Sequence, residues 1–270
     1  MKKTKMAFMY DFDKTLSPKD MQEFHLIESF GSDPSDFWKE VDEVKNLNKM
    51  DAISTYMYLM NEKAKGLTYE QLVAEGQYIK LFKGVDTWFD RINQYAKEHN
   101  IEIEHYIISS GLTEIIKGTS IAKFFKKIYA CSYFYDEQNV AKWPSRVVNY
   151  TTKTQYIFRI HKGILDESND IDLNRWSSED KKHIPYANMV YIGDGLTDVP
   201  CMKVINQYHG YTVAVYQDNP NSIATAEELV AKNRCKFKAL ADYSDNTMME
   251  KIAKKIINDV EAKAQLEALK

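Results

Sequence analysis

The sequence predicts an α/β fold: a doubly wound parallel sheet with helices on both faces and an all-helical body inserted near its start. Three observations predict it. The unbroken apolar run MAFMY (residues 6–10) is the pattern of a strand buried on both faces. Strand-like and helical segments then alternate along the chain, which implies crossover connections and a parallel sheet. From residue 17 to 83 that alternation stops, and the chain is helical in pattern and rich in Met, Tyr and Phe.

The elements follow in order. After the first strand, further strands are expected at 104–108, 127–133, 188–192 and 211–216. Helical patterns occupy 84–99, 113–126 and 152–161 between them. Residues 129–148 alternate weakly around a turn-like DEQN, the pattern of a hairpin. The polar, charged stretch 166–182 is expected to be an exposed loop. Residues 248–269 carry Met249, Ile252, Ile256 and Val260 at helical spacing, so a final helix should pack on the sheet. The domain division is therefore 1–16 with 84–270 for the sheet, and 17–83 for the insertion.

Bulk properties exclude several classes. With 270 residues the chain can build a substantial core. A net charge of −3 provides no global field for nucleic acid or an anionic membrane. Cys131, Cys201 and Cys235 lie far apart with no CxxC, which argues for reduced thiols rather than disulfides or a zinc site. The basic start MKKTKM is followed by too few apolar residues for a signal peptide, and no later stretch approaches a membrane span. A soluble, cytoplasmic protein is the expectation. The six histidines lack metal spacing, and HExxH, GxSxG and GxxxxGK[ST] are all missing.

In an open parallel sheet, ligands bind beyond the carboxyl ends of the strands. Three polar groups stand there. DFDKT follows the first strand and places Asp11 and Asp13 two residues apart, close enough to repel when ionised. SSG (Ser109, Ser110, Gly111) follows the second strand and leads toward a helix. GDGLTD (Gly193 to Asp198) follows the strand at 188–192. Each alone has an ordinary explanation: a solvated loop for DxD, a helix cap for Ser109, a glycine turn with positive φ for GDG. Their order, each at a strand end, points to one converging site.

These residues resemble the haloacid dehalogenase-like phosphatases, and most of all the phosphoserine-phosphatase branch. The likeness rests on DxDxT (Asp11, Asp13, Thr15), the serine of IISSG (Ser109), Lys153 near a helix start, and GDGxxD (Asp194, Asp198). It implies a Rossmann-like core, a helical cap over the site, and Mg²⁺-dependent hydrolysis of a small phosphorylated metabolite. Asp11 would be the nucleophile that forms an aspartyl-phosphate, and Asp13 the general acid and base. Asp11, Asp13 (through its carbonyl) and Asp194 would hold the metal, whose positive charge also offsets the crowding of carboxylates. Ser109, Ser110, Gly111 and Thr15 would hold the phosphoryl group or its loop. Lys153 would balance phosphoryl charge, with Lys142 and Lys162 as alternatives, and Asp198 would orient the metal site or the lysine.

The insertion departs from the phosphoserine pattern. Asp20 can stand for the carboxylate that follows the first motif, but residues 17–84 contain no arginine to clamp a substrate carboxylate. The insertion is instead rich in aromatics (Phe24, Phe30, Phe37, Trp38, Tyr56, Tyr58, Tyr78, Phe82). Most should form its own core, and some could favour an apolar or cationic leaving group such as a quaternary amine. Two other readings stand beside the phosphatase: a dehalogenase of the same superfamily, and a non-catalytic metal- or phosphate-binding module.

Overall fold

The computed structural model describes residues 3–176, 178 and 182–269. Part of the expected loop at 166–182 thus lies outside the described residues. Seven strands form one sheet in the order β4-β3-β2-β1-β5-β6-β7. They are β1 (Thr4–Tyr10), β2 (Ile101–Leu112), β3 (Phe125–Tyr135), β4 (Ala141–Arg146), β5 (Met189–Gly193), β6 (Tyr211–Tyr216) and β7 (Phe237–Leu240). All neighbours are parallel except β3 and β4, the expected hairpin. Among the described residues no helix is long and apolar enough to cross a membrane.

The apolar run explains the centre of the sheet. Met6 to Tyr10 are fully buried, with β2 on one side and β5 on the other. Connections leave in opposite directions from β1, so its carboxyl end is the topological switch point where a crevice opens. Helices Val85–Glu98, Val199–Gln207, Pro220–Ala231 and Met248–Glu267 pack on the sheet or on one another. Buried Met249, Ala253, Ile256, Ile257 and Val260 show that the last helix spends its apolar stripe on the core.

Four expectations need correction. Residues 113–126 are not one helix: Thr113–Lys117 ends at Gly118, a single turn follows at Ala122–Phe124, and β3 begins at Phe125. The second strand runs on through Ser109, Ser110 and Gly111, so these residues do not open a helix. β7 is an additional edge strand. Of its four residues only Ala239 is buried, which leaves too little periodicity for the sequence to reveal it. The stretch 166–182 also carries a short helix, Asp170–Asn174, and buried Arg159 donates to the carbonyls of Asp166 (2.8 Å) and Glu167 (3.0 Å).

The insertion is helical as expected, with Leu26–Ser29, Pro34–Asn48, Ala52–Ala64 and Tyr69–Glu75. Asp33, Asp51 and Thr68 cap the last three through side-chain oxygens that accept backbone N–H groups. The chain leaves the core after Leu16 and returns at Phe82, whose N–H donates to Leu16 O (2.9 Å). Gly84 completes the return at φ +80°, and a Cβ there would lie 2.4 Å from the backbone nitrogen of Ser244.

Gly84 therefore combines a left-handed conformation with a backbone contact that no side chain can share. Gly84→Ala should lower stability by about 1–3 kcal/mol. Urea denaturation of the two proteins checks this, and an unchanged midpoint would contradict it.

Candidate active site

Asp11 continues the ladder of β1 by donating its N–H to Ile192 O on β5 (2.9 Å). Its side chain therefore leaves the sheet at a fixed point, and it is buried. The Phe12 N–H donates to Asp11 Oδ1 (2.7 Å). The chain then turns sharply, with the N–H groups of Thr15, Leu16 and Ser17 all directed at Phe12 O (3.3, 2.8 and 3.2 Å). That turn holds Asp13 beside the start of the insertion, where the Met21 N–H donates to Asp13 Oδ1 (2.9 Å).

Lys153 lies at the junction of a single turn, Tyr150–Lys153, and the helix Thr154–Lys162. Its side chain is fully buried, and Nζ donates to Asp11 Oδ2 (2.7 Å) and Asp198 Oδ1 (2.8 Å). Of the other lysines weighed, Lys142 pairs with Asp136 on the hairpin and Lys162 donates to the carbonyls of Leu173 and Arg175. Asp198 also accepts from Tyr191 Oη (2.7 Å) and the Gly195 N–H (3.3 Å). Gly193 lets the loop close this tightly, because a Cβ there would lie 2.3 Å from Asp198 Oδ2. Neither glycine of GDG has positive φ; Gly195 is extended at −141°. The loop demands space for Asp198 rather than conformational freedom.

One oxygen from each of Asp11, Asp194 and Asp198 lies within 4.8 Å of the others. Asp198 is occupied by three donors, whereas Asp194 has no hydrogen-bond or ion-pair partner among the described residues. Hard oxygen donors with unmet negative charge fit a divalent cation such as Mg²⁺. Charge crowding appears in the acidities as well. Burial, and then the nearby Asp198 charge against the pull of Lys153, leaves Asp11 pushed up to about 6. Burial, then Asp198 and Asp11, drives Asp194 well above the carboxylate range. Burial, then Asp20 and Asp11, does the same to Asp13. Burial alone would lower Lys153, but Asp11 and Asp198 outweigh it and hold the ammonium charged.

A model of the haloacid dehalogenase-like hydrolases matches residues 8–203. The chain belongs to that family. An uncharacterized protein of Borreliella burgdorferi is 30% identical over 283 residues, covering 92% of this chain and 96% of the relative. Among solved structures, a phospho-aspartyl intermediate analogue of phosphoserine phosphatase superposes with a TM-score of 0.55 at 14% identity, covering 94% of this chain and 99% of that one. A HAD family hydrolase from Salmonella enterica serovar Typhi gives 0.58 at 16% identity; the match covers 86% of this chain and 66% of that structure's length. A probable phosphoserine phosphatase from Vibrio cholerae gives 0.61 at 13% identity over 97% of this chain and 67% of that one. At such identities the likeness concerns the fold.

Within this HAD hydrolase the remaining expected residues fall near the same crevice. Ser109 is buried, and its Oγ accepts from the Gly111 N–H (3.1 Å) rather than capping a helix. Ser110 O accepts from Tyr56 Oη of the insertion (2.7 Å). Thr15 is buried and its Oγ1 has no hydrogen-bond partner among the described residues. Asp20 pairs with Lys14 (2.7 Å) at the rim. Sequence reasoning named Tyr56 only as one of the insertion's aromatics, and missed Tyr191 and Met21. Tyr191 reads as one more core residue of a strand, and Met21 acts through its backbone, so neither leaves a sequence signal.

Removing Lys153 would leave Asp11 and Asp198 buried without a cation. Lys153→Met should lower the unfolding free energy by about 3–5 kcal/mol at neutral pH, and adding Asp198→Asn should restore part of that loss. Denaturation of the single and double variants measures both, and strict additivity would contradict the coupling.

Proposed function

We propose that the chain is a Mg²⁺-dependent phosphomonoesterase that hydrolyses a small phosphorylated metabolite through an aspartyl-phosphate. The observation that carries this reading is the buried Lys153 bridging Asp11 and Asp198, with an unpartnered Asp194 carboxylate alongside. Asp11 and Asp194, with the Asp13 carbonyl, would hold Mg²⁺, and its charge would neutralise the phosphoryl oxygens when bound.

The chain's own residues divide the chemistry. A carboxylate oxygen of Asp11 attacks phosphorus, and the ester oxygen leaves with a proton from Asp13. Burial beside Asp20 and Asp11 keeps that proton on Asp13, which suits a donor. Water then attacks the acyl phosphate, Asp13 takes a proton from it, and inorganic phosphate departs. Lys153 keeps Asp11 oriented and offsets charge. Ser109 accepts from the Gly111 N–H, which leaves its hydroxyl hydrogen to donate to a phosphoryl oxygen, while Ser110 and Gly111 shape the loop that receives the group. The partnerless Thr15 hydroxyl is available to the same loop. Three buried, unpaired cysteines support a reducing, cytoplasmic setting.

Residues 17–83 serve as a cap on a core of 1–16 and 84–270. Support comes from the paired exit and return at Leu16 and Phe82 and from the cap contacts of Met21 with Asp13 and Tyr56 with Ser110. Closure keeps bulk water away from the acyl phosphate and limits leaving groups to small molecules. Phosphoproteins and nucleic acids should be poor substrates.

Hydrolysis of an aryl phosphate should require added Mg²⁺ and vanish in excess chelator; full activity after metal stripping would overturn the proposal. Asp11→Asn should abolish turnover with the fold retained by circular dichroism. Asp13→Asn should lose about 10²–10⁴-fold in kcat while still forming some phosphoenzyme, detectable by rapid quench.

A further inference from the structure

A cavity of ≈ 230 Å³ opens between the strand ends and the insertion, with Asp13 and Ser110 in its wall. On the phosphatase reading, the proton donor for the leaving oxygen lines this cavity, so the leaving group extends into it. The residues opposite Asp13 then decide which alcohols are accepted.

Those residues form an aromatic and acidic wall. Trp38 and Tyr56 line the cavity with ring centroids 5.9 Å apart. Their polar ends are engaged elsewhere: Trp38 Nε1 donates to Glu23 (2.7 Å) and Tyr56 Oη to Ser110 O (2.7 Å). They therefore offer the cavity ring surface alone. Asp20 and Asp42 also line it, and no lysine or arginine does among the described residues. Their partners, Lys14 and Lys45, are outside the lining. A leaving group with its own carboxylate would meet like charge here and no guanidinium or ammonium to pair with.

Gln22 provides a second, independent observation. It lines the same cavity, is 2% exposed, and its amide oxygen has no hydrogen-bond partner among the described residues. An unpaired buried acceptor is unfavourable for folding, and a ligand N–H would satisfy it. A quaternary ammonium has no such hydrogen; a primary ammonium has three.

We infer that the substrate is the phosphate monoester of a small amino alcohol without a carboxylate, its primary ammonium seated among Gln22, Asp20 and the Trp38 ring. Gln22 accepts an ammonium N–H, Asp20 shares its charge between Lys14 and the substrate, and the ring surface takes the cation's remaining face. Gln22 is thus a specificity residue that acts on the leaving group and not on phosphorus.

The test compares 2-aminoethyl phosphate with ethyl phosphate, phosphoserine and phosphocholine, using an aryl phosphate with Mg²⁺ as the reference. The expected kcat/KM for 2-aminoethyl phosphate exceeds that for ethyl phosphate by about tenfold or more. In Gln22→Leu that ratio should fall toward one; being a ratio within one preparation, it is insensitive to partial unfolding. A purely structural Gln22 would leave the ratio unchanged, and that result overturns the inference. So does ethyl phosphate, phosphoserine or phosphocholine emerging as the better substrate while the aryl phosphate is hydrolysed. Failure to hydrolyse any ester, the aryl phosphate included, would instead remove the phosphatase reading. Calorimetric binding of 2-aminoethyl over ethyl phosphate, lost in Gln22→Leu, would then still support the subsite, and equal binding would overturn it.

Discussion

A lysine ammonium without solvent must be surrounded by negative charge, and in this protein that requirement connects three distant parts of the chain. Lys153 is fully buried and bonds Asp11, at the end of the first strand, and Asp198, in the loop after β5. Neither carboxylate would be tolerated in that position without it, and the ammonium would not be tolerated without them. The geometry is possible because β1 and β5 are neighbours, with the N–H of Asp11 still bonded to Ile192. Tyr191 and the Gly195 amide take up the remaining capacity of Asp198. The result is a charged centre that is fixed on most sides, with the Asp194 carboxylate left without a partner among the described residues.

The insertion relates differently to the same centre. Near the centre it contributes the Met21 amide on Asp13 and the Tyr56 hydroxyl on Ser110; farther away it is held by Asn149 Nδ2 donating to Asp51 (2.6 Å), the Ala141 N–H to Leu67 O (2.8 Å), the Tyr69 N–H to Asn139 O (3.0 Å) and Tyr133 Oη to Met57 O (2.7 Å). Each is a single hydrogen bond, individually weak in net terms. The two chain passages that join it to the core run side by side at Leu16 and Phe82.

Much of this was legible in the residues themselves. Five of the seven strands coincide with segments readable as apolar runs, because a parallel strand buried on both faces has few alternatives in composition. The hairpin was readable from its turn, whereas β7 was not, since an edge strand with one buried residue leaves no pattern. The helix expected over 113–126 failed because local apolarity was mistaken for periodicity; Gly118 stops it after five residues. Gly193 of GDG was legible as a needed glycine but for the wrong reason, and Gly195 has ordinary extended backbone with open space around it. Gly193 is needed for the close approach of Asp198, a contact between residues five apart that φ preferences do not disclose.

By itself, then, the sequence determined the order of elements, the helical insertion and the identity of the acidic residues at the strand ends, because periodicity and strand-end placement are local properties of a chain. Only the tertiary structure decided that Lys153, rather than Lys142 or Lys162, stands between Asp11 and Asp198, that Asp194 beside them has no partner among the described residues, and that Gln22 and Trp38 share a cavity with Asp13. Burial and pairing of charge depend on which segments the sheet order brings together. Residues 142 positions apart in the chain acquire a common electrostatic environment only when the sheet closes around them.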